Sequence, residues 1–315
     1  MPASSNVSFS PSDVELGVVI TINSVFSLCG TIGNVGVCLA FLMCRNLRNT
    51  TGAYIFSLAC SDLIVSFIAQ PMFIVKLVLH CKFQVNSMVM EVIRKTLTWI
   101  SLLASIGNLL GVTLDRYFVI FHPLRYTARS QKNMVFMILT AIWTIAFVLG
   151  ILTAKFKFAK FIGQVYVLFL IIVVIIPLYC RILLVARRHA RIIRVSFSHF
   201  QMTSRDKRTD FRETEVKHKV ETNSLKTVGI IGTILVVSWF PNLILPFFYR
   251  AGFNGKEMLR AFQWANTLAL CSSACNPPVY SWRDRRFRKA LNTTYNKWKA
   301  RRSISSDTGP QTQCI

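Results

Sequence analysis

Asp62 is the one acid in the middle of a long apolar run, 53–75. A carboxylate in such a setting is costly to keep, so it marks chemistry by default. Asn34, Ser105, Asn108, Ser272, Ser273 and Asn276 stand in neighbouring uncharged runs and could converge on it. One carboxylate with several neutral oxygens suits a weakly held Na⁺ better than a divalent ion. Asp62, Ser105, Ser273 and Asn276 are therefore the expected Na⁺ ligands. The same groups could instead form a hydrogen-bonded clamp between helices with a neutral Asp62. No catalytic residue and no organic cofactor is expected.

A second set lies at the ends of the uncharged runs. Leu114-Asp115-Arg116-Tyr117 closes one of them and Glu221 precedes another. An Arg116–Glu221 pair across two helices would be a latch, closed until something pries it apart. Two charges snorkelling separately to the surface are the alternative. Further along, Ser238-Trp239-Phe240-Pro241 and Asn276-Pro277-Pro278-Val279-Tyr280 place proline inside apolar runs. Pro241 removes a backbone hydrogen bond and kinks its helix into a lever. Pro277 and Pro278 require local unwinding that neighbouring polar groups or water must satisfy.

These residues must be positioned by helices that cross a membrane. Apolar residues make up 53% of the 315-residue chain and charged residues 16%, against about a quarter charged in soluble domains. Stretches 16–44, 96–114, 133–154, 161–180, 227–249 and 261–282 carry no Asp, Glu, Lys or Arg, and 53–75 carries only Asp62. Each is close to the roughly 20 residues that cross about 30 Å of hydrocarbon. The fold class is thus an all-α integral membrane protein, a seven-transmembrane helix bundle. Soluble enzyme, secreted disulfide module and nucleic-acid-binding domain are excluded as whole-chain readings.

The formal charge of +24 comes from 37 basic and 13 acidic residues. Most of the basic residues fall in 45–48, 116–132, 181–226 and 283–302, on one side of a seven-span path. Loops rich in Lys and Arg stay cytoplasmic, which puts the C-terminus inside and the N-terminus outside. That charge faces anionic lipid and cytosolic partners, with no nucleic acid among them. Residues 1–13 form an outer tail without the basic opening of a cleavable signal, so the first apolar run is expected to be a signal anchor. The bundle spans 14–282, with short connections at about 45–52, 80–90, 122–132, 155–160 and 251–259, and a long inner loop at about 188–223. Residues 283–299 repeat Phe287, Leu291, Tyr295 and Trp298 among basic residues, the pattern of a short amphipathic interfacial helix. A cytoplasmic tail, 300–315, follows. Of nine cysteines, six sit in or beside apolar spans as small packing residues, and Cys81 has no outer-loop partner, so no disulfide framework is expected.

The motifs in order resemble a rhodopsin-like (class A) G-protein-coupled receptor over about residues 14–291. They run Gly33-Asn34, Ser57-Leu58-Ala59-Cys60-Ser61-Asp62, Asp115-Arg116-Tyr117, His122-Pro123-Leu124-Arg125-Tyr126 and Trp143. Tyr179-Cys180-Arg181-Ile182, Trp239-x-Pro241, the Asn276-Pro277-x-x-Tyr280 motif and Phe287 complete them. The resemblance implies a plasma-membrane receptor that binds an extracellular ligand and engages a heterotrimeric G protein and arrestin. It makes Trp239 and Pro241 the lever, with Arg116, Tyr179 and Tyr280 rearranging as the inner ends part. Departures stand out. Glu91 lies where the family carries an outer cysteine, the 155–160 loop has no Cys, and Ile171 replaces the usual helix-five proline. In these respects the chain looks closer to the melanocortin, cannabinoid and lysophospholipid branch than to the aminergic one.

Two ligand classes are tested by single positions. Thr98 occupies the place of the aminergic Asp, and Leu270 that of the retinal-binding Lys. Basic residues cluster instead where the resemblance places the ligand: Lys76, Arg94, Lys95, Arg250 and Arg260. They point to an anionic ligand, a lipid, carboxylate or acidic peptide, with Arg94 able to grip two oxygens at once. The competing class, a transporter or channel, would want paired ionisable groups near the midplane and internal repeats. Asn6-Val7-Ser8 is a glycosylation sequon on the outer tail.

Overall fold

The computed structural model describes residues 13–121, 128–170, 176–177, 180, 184, 205–253, 255–283, 287–293 and 296. For 46, 116–121, 128–132, 157–160, 168–169 and 205–226 it describes the backbone alone. These residues build eight helices and no strand. They are α1 (Asp13–Met43), α2 (Thr50–Phe83), α3 (Met88–Phe121), α4 (Ala128–Lys155), α5 (Lys157–Phe169), α6 (Arg205–Arg250), α7 (Lys256–Cys271, continued to residue 283) and α8 (287–293). α1, α2, α3, α4 and α6 are each long and apolar enough to cross a bilayer.

Local chemistry sets the boundaries. Asn49 caps α2, its side chain accepting the Gly52 N–H at 2.8 Å. Within α2, Pro71 has no N–H for the carbonyl of Phe67. The chain ahead of it relaxes into a π-helical stretch, Ile64–Ala69, and the Gln70 N–H reaches back to Val65. α2 ends at Gln84, in the left-handed region at φ 55°. α7 tightens into a 3₁₀ turn, Ser272–Cys275, before Asn276–Arg283 resumes α-helical geometry. The prolines at 277 and 278 withhold the N–H groups that an unbroken α-helix would need there.

Several connections are shorter than the charge pattern suggests. The expected 155–160 outer loop shrinks to the extended residue Phe156, and the 80–90 loop to the residues between Phe83 and Met88. α6 starts at Arg205, inside the segment assigned to the long inner loop. Residues 205–226 contain neither Gly nor Pro. They set Glu213 four residues ahead of Lys217, and Glu215 four ahead of Lys219, which supports a helix even among many charges.

Packing divides the interior into layers. Tyr54, Leu58, Leu109, Val112, Tyr280 and Phe287 form the inner cluster, and Trp99, Leu102, Ile106, Val167, Trp239 and Leu243 the middle one. Leu16, Val19, Val65, Phe73 and Leu270 tie α1 to α2 and α7. The outward faces of α1 and α4 leave Val25, Leu28, Ile32, Phe136 and Met137 exposed, as a lipid-facing surface requires. α8 turns Phe287 and Ala290 into the bundle and leaves Arg288 and Lys289 outside. The eight described cysteines are free thiols, Cys81 included.

α3 and α4 approach closely at Gly150, where an added Cβ would stand 2.4 Å from Ile100 Cγ1 and 3.1 Å from its backbone nitrogen. Because backbone cannot step aside, Gly150→Val should cost about 1–3 kcal/mol of stability. The check is the thermal unfolding midpoint of purified protein. A variant as stable as wild type would mean that the two helices part at little cost.

Candidate functional site

At the end of the bundle that the charge pattern assigns to the outside, α2, α3, α5, α6 and α7 enclose a cavity of about 270 Å³. Its floor is Trp99, Leu102, Trp239 and Leu243, all buried. One wall is electrostatic. Glu91 Oε1 lies 3.1 Å from Lys76 Nζ, 3.0 Å from an Arg94 terminal nitrogen and 3.0 Å from Lys95 Nζ. Arg94 Nε also donates to Glu91 Oε2 at 3.0 Å, so both carboxylate oxygens sit in the guanidinium fork. The guanidinium carbon of Arg94 lies 5.4 Å over the centre of the Phe73 ring. Three cations on one carboxylate leave a surplus of positive charge beside the cavity.

Of the five basic residues expected around a ligand, Lys76, Arg94 and Lys95 line this space, together with Thr98 and Trp239. Thr98 directs its hydroxyl back to the Arg94 carbonyl at 2.8 Å. Arg250 and Arg260 are not among the lining residues. Arg250 is exposed, with its guanidinium 4.5 Å from the Phe161 ring centre. Arg260 pairs with Glu15 at 3.4 Å and Glu257 at 3.2 Å. The expected grip of Arg94 on a ligand is also altered, because its fork is closed on Glu91. The i,i+3 and i,i+4 spacing of Glu91 to Arg94 and Lys95 was the available signal for this.

Deeper in the bundle, Asp62 is buried and its Oδ2 accepts the Asn276 amide at 2.7 Å. Ser61 and Ser105 hydroxyls meet at 3.0 Å. Ser273 donates to Leu270 O at 2.9 Å, which keeps the lone pairs of its oxygen available. Asn34 donates to Ser273 O at 3.1 Å, while Asn34 Oδ1 and Asn108 Oδ1 are buried without partners. Among the described residues no group of three or more His, Cys, Asp or Glu is placed to hold a metal ion. One carboxylate among hydroxyl and amide oxygens, some of them unpartnered, fits a monovalent hard cation better than a divalent one.

At the inner end, Asp115 is buried and accepts the Thr50 hydroxyl at 3.2 Å. Arg116 and Tyr117 lie on α3 and Glu221 on α6. Their side chains, together with Tyr179 and Asn6, fall outside the described residues. Pro241 sits within α6, and the adjacent Asn242 donates to Ala265 O on α7 at 2.7 Å. Pro277 packs where α1 has Gly33, whose added Cβ would come within 2.9 Å of the proline ring. Tyr280 is buried, its ring 5.8 Å from that of Phe287 and its hydroxyl without a partner. Trp143 ties α4 to α2 through a 3.0 Å bond to the Ser57 hydroxyl.

One polar cluster went unread in the sequence. Asn23 on α1 donates to the Thr267 hydroxyl on α7 at 3.1 Å. Gln70 on α2 donates to Asn23 Oδ1 at 3.1 Å and to Cys271 Sγ at 3.5 Å. Asn23 and Gln70 are fully buried. The rule that marked Asp62, polarity inside an apolar run, would also have found them.

Against known proteins, the family described as "7 transmembrane receptor (rhodopsin family)" matches residues 33–161. The chain is 29% identical to the histamine H2 receptor of Homo sapiens over 297 residues, 86% of this chain and 77% of that receptor. It is 25% identical to the alpha-1A adrenergic receptor of Bos taurus over 349 residues, 96% and 73% of the two chains. With the muscarinic acetylcholine receptor M4 of Gallus gallus it shares 31% identity over 136 residues, 43% of this chain and only 27% of that receptor. None of these three belongs to the melanocortin, cannabinoid or lysophospholipid branch that the missing outer cysteines resemble.

Proposed function

Because the chain belongs to the rhodopsin family of seven-transmembrane receptors, we propose that it binds an anionic extracellular ligand in the outer cavity and transmits that event to a heterotrimeric G protein. It is a multi-pass membrane protein and a receptor, not an enzyme. It sits in the plasma membrane with its N-terminus outside, glycosylated at Asn6, and its C-terminus on the side of G protein and arrestin. One observation carries the ligand class: Lys76, Arg94 and Lys95 surround a single carboxylate at the cavity wall. Arg94 is committed to Glu91, whereas Lys76 and Lys95 are partly exposed and each spends one contact on it. An ammonium has three donors. The two lysines are therefore the groups that take a ligand's carboxylate or phosphate, with the Arg94–Glu91 pair as their scaffold. Thr98 supplies no charge for a cationic ligand.

The ligand acts through Trp239, which floors the cavity two residues before Pro241. Movement of α6 about that proline opens the inner end and breaks an Arg116–Glu221 latch. Tyr179 and Tyr280 then take up new partners. Asp62, Ser105, Ser273 and Asn276 hold Na⁺ in the resting arrangement, and the ion supplies fixed positive charge there. A ligand shifts the balance only by its preference for the open form, and a shift from 1:99 to 99:1 requires about 5.5 kcal/mol.

The test is guanine-nucleotide exchange by a purified G protein in vesicles containing the receptor. Acidic ligands should raise exchange where their esters do not. Glu221→Gln should raise exchange several-fold without ligand, at matched receptor density. Solute flux without exchange would overturn the receptor reading, and unchanged basal exchange in Glu221→Gln would overturn the latch.

A further inference from the structure

α1 and α2 run antiparallel in close register. Asn23 meets Gln70, an added Cβ on Gly30 would stand 2.9 Å from Ser66 Cβ, and Phe41 stacks on Phe56 with ring centres 4.8 Å apart. Continuing that pairing sets Cys38 opposite Cys60, one turn outward from the stacked rings. There the two thiols share a side-chain hydrogen bond. Both are free and half-buried. Val35 and Leu42, on the Cys38 face of α1, and Phe67, on the Cys60 face of α2, are exposed, so the pair sits where the seam between the helices meets lipid. Other thiols of the bundle are placed differently. Cys271 takes the Gln70 amide at 3.5 Å, and Cys275 gives its S–H to the Cys271 carbonyl at 3.8 Å.

Nucleophilic sulfur chemistry belongs to the thiolate, which hydrocarbon does not favour. A neutral thiol remains a hydrogen-atom donor, and that reaction requires neither charge nor water. The oxidants that share its solvent are the peroxyl radicals of unsaturated acyl chains. We propose that Cys38 and Cys60 form an oxidation site, at which two lipid peroxyl radicals convert the pair to a disulfide that staples α1 to α2. The first radical takes the hydrogen atom of one thiol and leaves as a lipid hydroperoxide. The second takes the hydrogen atom of the other thiol in the same way. The two sulfur radicals, already in contact, pair their electrons in one S–S bond.

The product is long-lived. The cytosolic reductants that keep thiols reduced are charged and do not enter hydrocarbon. The staple closes a loop over residues 38–60 and fixes α2 two residues before Asp62.

The test uses purified full-length receptor in vesicles of polyunsaturated phosphatidylcholine, treated in air with a lipid-soluble azo initiator. Mass spectrometry should find the peptides of Cys38 and Cys60 linked and two hydrogens lighter than the reduced pair. The thermal unfolding midpoint should rise by roughly 5 °C, as expected for a loop of this length. Cys38→Ser and, separately, Cys60→Ala should give neither the link nor the rise. α-Tocopherol, which intercepts peroxyl radicals, should suppress both in wild type. Diamide, which oxidises thiolates from water, should give little link. Wild type that stays unlinked while lipid hydroperoxide accumulates overturns the site. A link that forms equally well with diamide, or that α-tocopherol leaves unchanged, overturns the hydrogen-atom route.

Discussion

Arg94→Ala should lower the potency of an acidic agonist by roughly tenfold to a hundredfold, although Arg94 itself is not expected to touch the agonist. The side chain is 3% exposed, holds both oxygens of Glu91 and lies against Phe73. Its removal deletes two charge-assisted bonds, each worth about 1.5–3 kcal/mol in mutational series. Glu91 then turns fully onto Lys76 and Lys95 and competes with the ligand for them. Arg94→Lys should rescue little, because an ammonium cannot reproduce a planar fork. Adding Glu91→Gln to Arg94→Ala should recover part of the lost potency, since it removes the competitor. Measuring all four corners of that cycle separates positioning from direct contact. Wild-type potency in Arg94→Ala at equal surface density would sink the scaffold role.

Sodium should produce the second large effect. If Na⁺ held by Asp62, Ser105, Ser273 and Asn276 favours the resting arrangement, linkage requires that it oppose agonist binding to the same degree that agonist opposes Na⁺. Replacing NaCl by N-methyl-D-glucamine chloride at constant ionic strength should tighten agonist binding by roughly five- to fifteenfold, within the usual range of coupling between two sites. Asp62→Asn removes the carboxylate that holds the ion and keeps the size of the side chain. In that variant the two salts should give the same affinity. A salt difference that survives Asp62→Asn would place the cation elsewhere.

The parts of the fold that could be read in advance were those with a local signature. Uncharged runs gave away α1 to α4 and α6 because hydrocarbon tolerates few charges, and Asn49 announced the start of α2 through its capping chemistry. The Asp62–Asn276 contact was expected from polarity alone and is present at 2.7 Å. Charge counting misplaced the start of α6, since a helix can be as charged as a loop when its charges are suitably spaced. Arg94 was expected to grip a ligand, and the structure pairs it with Glu91. Its type and position near the cavity were correctly seen, but what an arginine grips depends on its neighbours, and Glu91 stands three residues before it. Gln164, on the wall of the outer cavity, stood in the uncharged run 161–180 with the same signal as Asn23 and Gln70, and went unread. That its buried amide oxygen lacks a partner depends on how α5 sits against α3 and α6, which no stretch of sequence contains.

The cluster of Asn23, Gln70, Thr267 and Cys271 has a consequence for biogenesis. Translation delivers α1 and α2 to the bilayer well before α7, so Asn23 and Gln70 enter it while Thr267 and Cys271 are still unmade. Until α7 arrives the two amides lack two of the groups they reach in the finished bundle. Such half-satisfied amides attract other polar groups in hydrocarbon. An insertion intermediate that stops before α7 therefore displays, on α1 and α2, a feature by which membrane quality control can tell it from the completed receptor. Arrival of the last span conceals that mark, and nascent chains truncated near Gly255 should be retained and degraded faster when Asn23 and Gln70 are present than when both are leucine.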